Sequence, residues 1–564
     1  MPDVKPKLGI LFVINYFVYT NTKAGILLNS HIDDIENGFF NLGSYRYDET
    51  VKYCFIKSMR ELNSDGTLAN NSNPATKIYI PEYCKTENKY KVKPDKPDAF
   101  LGYINLGNHD VLSTVLIMVE QMINADEYII ITYSHGSPFG IGNGNIDETS
   151  KITAGSLTPF PFNGVVEIKA ANLMFADFKT PSLKLNVDYI SGVGSPDFEA
   201  PGIFNNMTPG IAVLNEDIDS NKSIDIAGFL DTEAAPAPMS NIKNKEDEFK
   251  DSIENFKPDM LTNAEQHVAL GRAFPSGNIK ILINCACYVQ NVDTLFSLRQ
   301  VTDYIVAASS SIPELSFDFA KIINQNIAGN TTRDYRLIAQ NIVSTYNYLE
   351  ILKPFEDKIT GDEITKDKIK EPFRRQNNHI ILSAIDCKQL DLFFEVFNEF
   401  LLLLINQIAD KNSFEKLRIA KINIALFEME RIKKLVNKNE SISKIPFYMY
   451  DLKVFIDSLK KENPLLIQKI NTVSEFFDND SSKKIVLQKF VSPSLLENQL
   501  ATGRNWGGVA FYFPDEINVS KSLTGLSKFY SVFSSLESFF SKKGYLQEFI
   551  FLYHKRNEIL PSTT

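Results

Sequence analysis

Two short apolar runs, each followed by a side chain that can take part in catalysis, constrain this chain most strongly. The first run, residues 128–133, is rich in isoleucine and is followed by His135. The second run, residues 279–283, leads to Cys287. Runs of β-branched residues of this length indicate buried strands. If the two strands are neighbours in a parallel sheet, His135 and Cys287 emerge side by side at its carboxyl edge, where open α/β sheets place their chemistry.

A thiol beside an imidazole is the minimum that nucleophilic acyl transfer requires, so this pair indicates a cysteine peptidase. The composition of the 564 residues is that of a soluble globular protein, with 44% hydrophobic and 23% charged residues. A formal net charge of −10, without a dense patch of Lys and Arg, argues against nucleic-acid binding. Five cysteines are too few, and odd in number, for a disulfide framework, which favours a reducing cytoplasm.

The chain alternates apolar strands with amphipathic helices up to about residue 145, which is typical of a parallel sheet covered on both faces. A stretch rich in Gly, Pro, Asn and Asp then interrupts the alternation, which resumes at about residue 261. Later, a strong 3.6-residue periodicity indicates helices. We predict a catalytic core over 1–316, an insertion within it over 145–258, a helical subdomain over 317–480, and a late strand and C-terminal helix over 481–564 that pack back on the core.

Two apolar stretches raise the question of a membrane. Residues 8–14 follow two lysines, as in a signal peptide, but no small-x-small cleavage motif comes after them. We therefore predict a first core strand there and a cytoplasmic protein, with a secretion signal and a secreted protein as the alternative. Residues 400–405 are too short a run to span a bilayer, so we predict a buried helix and no membrane span.

Further short motifs follow one another along the chain: Asn105-Leu106-Gly107, Ser134-His135-Gly136, Cys285-Ala286-Cys287, Asp303–Ser309, Ile312-Pro313, Leu382–Asp386, Tyr450-Asp451-Leu452 and Gly508–Pro514. In this order they resemble the clostripain-like cysteine peptidases, a branch of the caspase-like clan. The resemblance implies a three-layer α/β/α fold with a mostly parallel central sheet. It also implies hydrolysis of peptide bonds by a Cys-His dyad. Two departures stand out: Cys285 replaces the family's acidic residue, and the family's Asp/Asn-rich turn after the first strand is poorly reproduced in 16–21.

The resemblance implies that Cys287 is the nucleophile and that His135 protonates the departing amine. The N–H groups of Gly136 and Cys287 are then expected to form the oxyanion hole. A helix beginning after Cys287 is expected to favour the thiolate through the dipole at its N-terminus. The remaining histidines lack such a context, and we predict structural roles for them: His31, His109, His267, His379 and His554.

Cys285 is the competing nucleophile, because residues i and i+2 of a strand point to the same side. The family resemblance favours Cys287. In the family, the acid at the position of Cys285 helps to line the primary pocket and attracts Arg or Lys, and a thiol removes that charge. Glu314 or Asp318 could replace the missing acid. We therefore predict a pocket lined by Cys285, Glu314 and Asp318, with a basic and a neutral or apolar preference both left open.

The insertion contains an acidic stretch, residues 217–225, that resembles the start of a calcium loop. It lacks the glycine at the sixth position and the acid at the twelfth, so we predict a solvated turn. No metal site and no cofactor are predicted, and calcium dependence is a question for experiment. The insertion is expected to cover the cleft or to be cut during activation, with these candidate cut sites: Lys243, Lys245, Lys250 and Lys257.

Taken together, the sequence predicts a cysteine endopeptidase acting on peptides or proteins. It is expected to be held inactive until cleavage, a ligand or a partner triggers it. The alternative is a catalytically inert scaffold that keeps the fold and binds other molecules through the insertion. The atypical Cys285 motivates this second hypothesis.

Overall fold

The structure is a computed structural model of the chain. The residues that it describes are 7–19, 45–62, 76–91, 97–102, 104, 106–137, 140–142, 260–274, 277–313, 317–329, 333–351, 379–433, 448–463, 466–478, 481–496, 505–513 and 545–559. The whole predicted insertion, with its calcium-like stretch and its four candidate lysines, lies outside these residues, as do His31 and Glu314.

The strands of the described residues are, in chain order, β1 (Leu8–Tyr19), β2 (Val51–Leu62), β3 (Thr76–Tyr79), β4 (Glu82–Cys84), β5 (Lys89–Lys91), β6 (Ala99–Gly102), β7 (Glu127–Tyr133), β8 (Gly136–Ser137), β9 (Gly140–Gly142), β10 (Met260–Thr262), β11 (Ile279–Cys285), β12 (Thr302–Ala308), β13 (Ile381–Asp386), β14 (Met449–Asp451), β15 (Val486–Val491) and β16 (Ala510–Tyr512).

The α-helices of the same residues are α1 (His109–Ile123), α2 (Asn263–Ala273), α3 (Val292–Leu298), α4 (Phe319–Asn326), α5 (Tyr335–Ser344), α6 (Leu390–Ala409), α7 (Lys411–Lys433), α8 (Leu452–Glu462), α9 (Ile467–Ser474) and α10 (Leu546–Ile559). One 3₁₀ turn, Cys387–Gln389, leads directly into α6.

Nine of these strands form one mixed sheet with the order β15-β13-β12-β11-β7-β1-β2-β3-β6. The five central strands, from β12 to β2, pair in parallel. The strands added at each side, β13 and β15 on one and β3 and β6 on the other, pair antiparallel. Parallel neighbours need crossover connections, which explains why helices separate β2 from β7, β7 from β11 and β11 from β12 along the sequence.

Side chains of the central strands alternate between two apolar layers, as the two-residue period of a strand requires. In β11, Leu282 points to the layer packed on α1, α2 and α3. Ile281 and Ile283 point to the opposite layer, packed on α4 and α5. Helices therefore cover both faces of the sheet, which confirms the predicted α/β/α fold.

Residues 8–14 form the first part of β1, in the middle of the sheet between β2 and β7, as predicted for a core strand. The apolar run at 400–405 lies in α6, which packs against α7, α9 and α10. By length and composition alone, the segment Cys387–Ala409 could cross a membrane, and half of its most apolar window is buried inside the protein. The buried side chains of α6 include four phenylalanines, Phe393, Phe394, Phe397 and Phe400.

The C-terminal half is not purely helical. The predicted helical stretch 317–480 also contributes β13 to the main sheet, paired with β12 of the core. The late stretch 481–564 contributes β15 to the same sheet and β16 to a small separate sheet with β14. Its final helix, α10, packs on α6. The three stretches therefore share one sheet, because β13 and β15 from the two later stretches extend the sheet formed by the first.

A glycine turn joins the small β14–β16 sheet to the helices around it. Asp451 is buried, and its carboxylate accepts hydrogen bonds from the amides of Gly507 at 2.9 Å and Gly508 at 3.0 Å. The same carboxylate caps α8 by accepting from the amide of Val454 at 3.1 Å. Gly508 has φ +84°, a conformation that side-chain-bearing residues rarely adopt. Burial raises the pKa of Asp451 to about 6, despite these three donors.

Candidate active site

The two strands singled out in the sequence, β7 and β11, are neighbours and run parallel. Their last residues, Tyr133 and Cys285, are register partners, and the amide of Ser134 donates to the carbonyl of Cys285 at 3.4 Å. Both chains therefore leave the sheet at the same edge, with His135 on one and Cys287 on the other. The predicted adjacency of the two strand ends is confirmed.

Gly136 lies directly against the backbone of Cys287. A Cβ atom added to Gly136 would lie 2.3 Å from the carbonyl oxygen and 2.5 Å from the amide nitrogen of Cys287. These contacts are with backbone atoms, which cannot rotate away, so only glycine fits at this position. His135 is the residue before Gly136, so the segment that carries the imidazole is packed on the residue that carries the thiol.

Cys287 lies in a turn beyond the end of β11 and is partly exposed. Its Sγ accepts a hydrogen bond from the amide of Ile312 at 3.4 Å and donates to the carbonyl of the same residue at 3.6 Å. The next residue, Tyr288, has φ +60°, which is unusual for a residue with a large side chain. Strain of this kind, of the order of 1–3 kcal/mol, persists only where surrounding contacts hold it.

The turn after Cys287 is held from three sides. The amide of Tyr288 donates to the carbonyl of Ser310 at 2.9 Å, and the amide of Gln290 donates to Ala308 at 2.9 Å. The side chain of Gln290 donates to Ser383 Oγ in β13 at 3.0 Å, and its carbonyl accepts from the amide of Ala510 in β16 at 3.0 Å. Contacts with β12, β13 and β16 therefore fix the position of the thiol.

The N-terminus of the helix after the thiol is capped by the side chain of Asn291. α3 begins at Val292, and its first free amides, those of Asp293 and Thr294, donate to the side chain of the capping residue Asn291 at 3.0 Å. With these amides already capped and four residues separating Cys287 from α3, the donor observed at the sulfur is the backbone amide of Ile312. Because a backbone amide has no side-chain signature, no sequence pattern marks it as a donor.

Cys285 is in a different environment from Cys287. It is 3% exposed and lies in the apolar layer that also contains Tyr346 and Phe317. The i, i+2 rule does not extend to Cys287, because β11 ends at Cys285 and the chain turns. All five cysteines of the chain are free thiols.

The acidic candidates for the substrate pocket are only partly described. Asp318 is exposed and caps α4 by accepting from the amide of Lys321 at 2.9 Å. It borders a shallow groove of about 290 Å³ between α4 and the end of α5, together with Phe317 and Tyr346. Glu350, on the same groove, pairs with Lys321 at 2.8 Å. Asp318 and Cys285 thus lie near the same aromatic side chains.

The described histidines other than His135 each contact named groups. His109 lies within 3.4 Å of Glu265, and the Nδ1 of His267 contacts the carbonyl of Ser297 at 2.7 Å. His554 packs on aromatic rings. His379 is buried, and its Nε2 lies 2.7 Å from Ser311 Oγ, one residue before Ile312. Within the described ranges, no three His, Cys, Asp or Glu side chains are grouped so that they could hold a metal ion.

The sequence model of the clostripain family matches residues 255–550, more than half of the chain. The chain belongs to the clostripain family. Membership identifies it as a cysteine peptidase, and it confirms the resemblance drawn from the sequence motifs. No curated protein is similar enough to count as a match.

Three solved structures of cysteine proteases are also similar to the chain. Two are of secreted C11 cysteine proteases from Bacteroides thetaiotaomicron. One of these, with an irreversible peptide inhibitor, is 13% identical over 94% of this chain and 97% of its own, with a TM-score of 0.41. The other, called iotapain, is 10% identical over 90% and 94%, with a TM-score of 0.41.

The third is an inactive zymogen of a C11 protease from Parabacteroides distasonis. It is 10% identical over 95% of this chain and 97% of its own, with a TM-score of 0.40.

Proposed function

We propose that this clostripain-family peptidase cleaves internal peptide bonds with Cys287 as nucleophile and His135 as proton donor. The observation that carries the proposal is the packing of Gly136 on the backbone of Cys287, at the shared edge of β7 and β11. This packing supports a shared site for the imidazole-bearing and thiol-bearing segments, which lie far apart in the sequence.

In the first half of the reaction, the Cys287 thiolate attacks the carbonyl carbon of the substrate and forms a carbon–sulfur bond. The carbonyl oxygen becomes an oxyanion, for which the N–H groups of Gly136 and Cys287 are the proposed donors. The carbon–nitrogen bond then breaks, and the amine leaves with a proton from His135. In the second half, water gives one proton to His135 and attacks the thioester, the carbon–sulfur bond breaks, and the acid leaves while the Cys287 thiolate is regenerated.

The proposal includes control by the insertion. β9 and β10 pair antiparallel, so residues 142 and 260, where the insertion leaves and re-enters the described fold, lie side by side. β9 also pairs with β8, which begins at Gly136. The insertion therefore starts and ends beside the proposed site, which supports a role in covering the cleft or in activation by cleavage.

Two substrate preferences remain part of the proposal. A pocket that uses Asp318 or Glu314 as its acid would select Arg or Lys at the cleaved bond. A pocket built on Cys285 and the aromatic side chains near it would select a neutral or apolar residue. Cleavage of a peptide library with and without calcium separates the two preferences, and it tests metal dependence in the same experiment.

The test of the chemistry is labelling with a thiol-reactive peptide ketone, followed by mapping of the modified residue. The expected result is modification of Cys287 in the wild type. In a His135→Ala variant at neutral pH, this modification should be absent or strongly slowed. Labelling of Cys285 instead would assign the role of nucleophile to Cys285. An intact protein that is not labelled before or after limited proteolysis would favour the inert scaffold.

The cellular compartment is a separate prediction. The cytoplasmic expectation has no support in the comparisons, and two of the similar structures are described as secreted proteases. Immunodetection of the protein in culture medium and in cell lysate distinguishes the cytoplasmic from the secreted location.

A further inference from the structure

The thiol of Cys287 contacts a stretch of backbone, residues 309–313, which follows β12 and which we call the strap. Within the strap, Ile312 both donates to the sulfur at 3.4 Å and accepts from it at 3.6 Å. A backbone amide can act on the sulfur only if the strap is kept in place. The contacts that fix the strap therefore bear on the reactivity of the thiol.

The first half of the strap is tied to β13 through Ile381. The amide of Ser309 donates to the carbonyl of Ile381 at 3.0 Å, and the amide of Ile381 donates to Ser310 Oγ at 2.9 Å. The carbonyl of Ser310 also accepts from the amide of Tyr288 at 2.9 Å. These bonds position the strap up to residue 310, two residues before the contact with sulfur.

The second half of the strap is tied by a side-chain pair. Ser311 Oγ lies 2.7 Å from His379 Nε2, and His379 is 1% exposed. The residue after His379, Ile380, is itself held on both sides by Ser492: its amide donates to Ser492 Oγ at 2.9 Å, and its carbonyl accepts from the amide of Ser492 at 3.0 Å. The backbone next to His379 is therefore held in place, and the hydrogen bond between His379 and Ser311 positions Ser311.

The bond between the Ile312 amide and the sulfur favours the reactive form of Cys287. A hydrogen bond strengthens when its acceptor becomes an anion, whereas the thiol S–H is a weak donor to the Ile312 carbonyl. The Ile312 amide, as a donor to the sulfur, favours the charged form, whereas the Ile312 carbonyl at 3.6 Å favours the protonated thiol, so the position of the amide bears directly on ionisation. The thiolate is the nucleophilic form.

We propose that His379 is a positioning residue for the reaction. Its bond to Ser311 holds the adjacent Ile312 amide on the sulfur of Cys287, and it thereby sets the orientation and ionisation of the nucleophile. The inference rests on the proposed function only in taking Cys287 as that nucleophile. It assigns His379 a part beyond the structural role that the sequence predicts.

The test measures the rate at which iodoacetamide alkylates each cysteine of the intact protein over a pH series, with the sites resolved by peptide mass spectrometry. In His379→Ala, alkylation of Cys287 should be about threefold to tenfold slower at neutral pH, with its midpoint moved upward by about half to one pH unit. The matched control is His267→Ala, which removes another largely buried histidine, bonded to Ser297 instead of the strap.

Two further variants separate positioning from general stability. His379→Gln keeps a side-chain amide that can reach Ser311, and it should restore the alkylation profile to within about twofold of the wild type. Ser311→Ala keeps the buried histidine, and it should slow Cys287 as His379→Ala does. Cys54, which is fully buried in the core, reports loosening of the whole fold, because it should stay unreactive in every variant.

The inference is wrong if the pH dependence of Cys287 alkylation is the same in His379→Ala and Ser311→Ala as in His267→Ala. It is also wrong if Cys54 becomes reactive in parallel with any change at Cys287. Alkylation does not require turnover, so these outcomes are independent of the peptidase assay. Peptide hydrolysis that survives Cys287→Ala would overturn the proposed function instead, whatever the alkylation profile shows.

Discussion

Thr132 Oγ1 donates a hydrogen bond to Asn284 Oδ1 at 2.7 Å, between β7 and β11. The two residues are register partners, and both are buried. Each precedes a catalytic candidate by three positions, Thr132 before His135 and Asn284 before Cys287. Because a slip of one residue would exchange the faces of a strand, a buried polar pair of this kind fixes which residues meet at the sheet edge.

We expect Thr132→Val to reduce the free energy of unfolding by about 1–3 kcal/mol, because it leaves the buried Asn284 oxygen without its donor. Urea denaturation measures the loss. Thr114→Val is the matched control, since the Thr114 hydroxyl is exposed and bonds only to the carbonyl of Asp110 in its own helix. A Thr132→Val protein as stable as Thr114→Val would show that the pair does not stabilise the register.

Replacing the nucleophile should abolish hydrolysis without unfolding the protein. We expect Cys287→Ala to lower kcat/KM by at least about 10³-fold, as loss of a covalent catalyst does. Cys285→Ala removes a sulfur from the apolar layer, two residues before Cys287. It should change kcat/KM by less than about tenfold, at a stability cost of about 1 kcal/mol. Steady-state kinetics on one peptide substrate compares them, and the reverse ranking would assign the nucleophile to Cys285.

Gly136→Ala should disrupt the site, because its new Cβ would lie 2.3 Å from a backbone oxygen of Cys287. We expect at least a hundredfold loss of kcat/KM and a lower melting temperature, since either segment must move. Gly271→Ala is the control: a Cβ there meets nothing within 4 Å, in the last turn of α2. It should stabilise the protein by about 0.5–1 kcal/mol. Full activity in Gly136→Ala would contradict the close packing.

The burial of Asp451 predicts a pH dependence of stability. Its folded-state pKa of about 6 lies above the ordinary value of 3.8, so the folded protein binds the proton more tightly. This contribution is fully present below about pH 4 and is lost as the pH rises through 6, with an upper limit of about 3 kcal/mol. Urea denaturation at pH 4.5 and pH 7 should show a smaller difference in Asp451→Asn than in the wild type.

Asp334 provides the control for this measurement. It caps α5 by accepting from the amide of Leu337 at 3.0 Å, but it is exposed. Asp334→Asn should therefore leave the pH dependence within a few tenths of a kcal/mol of the wild type. Equal pH dependence in the two variants would show that burial of Asp451 has no such effect.

The sequence was most informative where side-chain pattern and backbone geometry agree. β7 and β11 are runs of apolar residues, and their burial on both faces is what such runs predict. Their adjacency followed from the two reactive side chains at corresponding ends. By contrast, Leu382–Asp386 was grouped with a helical stretch but forms an antiparallel strand of the main sheet. Its short length and following helix gave no signal of the partner strand.

The contacts around the sulfur were beyond prediction for a different reason. Ile312 acts through its amide and carbonyl, which every residue other than proline possesses, so no side-chain pattern marks it. The sequence predicts that the N–H of Gly136 donates to the oxyanion of the substrate. The structure shows that Gly136 also makes room for the backbone of Cys287. Such a close approach depends on how two segments that are distant in the sequence pack together. The spacing between them in the fold cannot be read from a single sequence.

The pairing of β7 with β11 and of β9 with β10 has a consequence for the integrity of the molecule. A break of the peptide chain anywhere between residues 142 and 260 would leave two polypeptides that each supply one block of the main sheet, and the two blocks meet where β7 pairs with β11. Neither piece alone would hold both His135 and Cys287, yet the ladder hydrogen bonds and shared apolar layers would keep the two pieces associated. Covalent continuity across that region is therefore dispensable for a complete site, and two co-expressed fragments should reconstitute it.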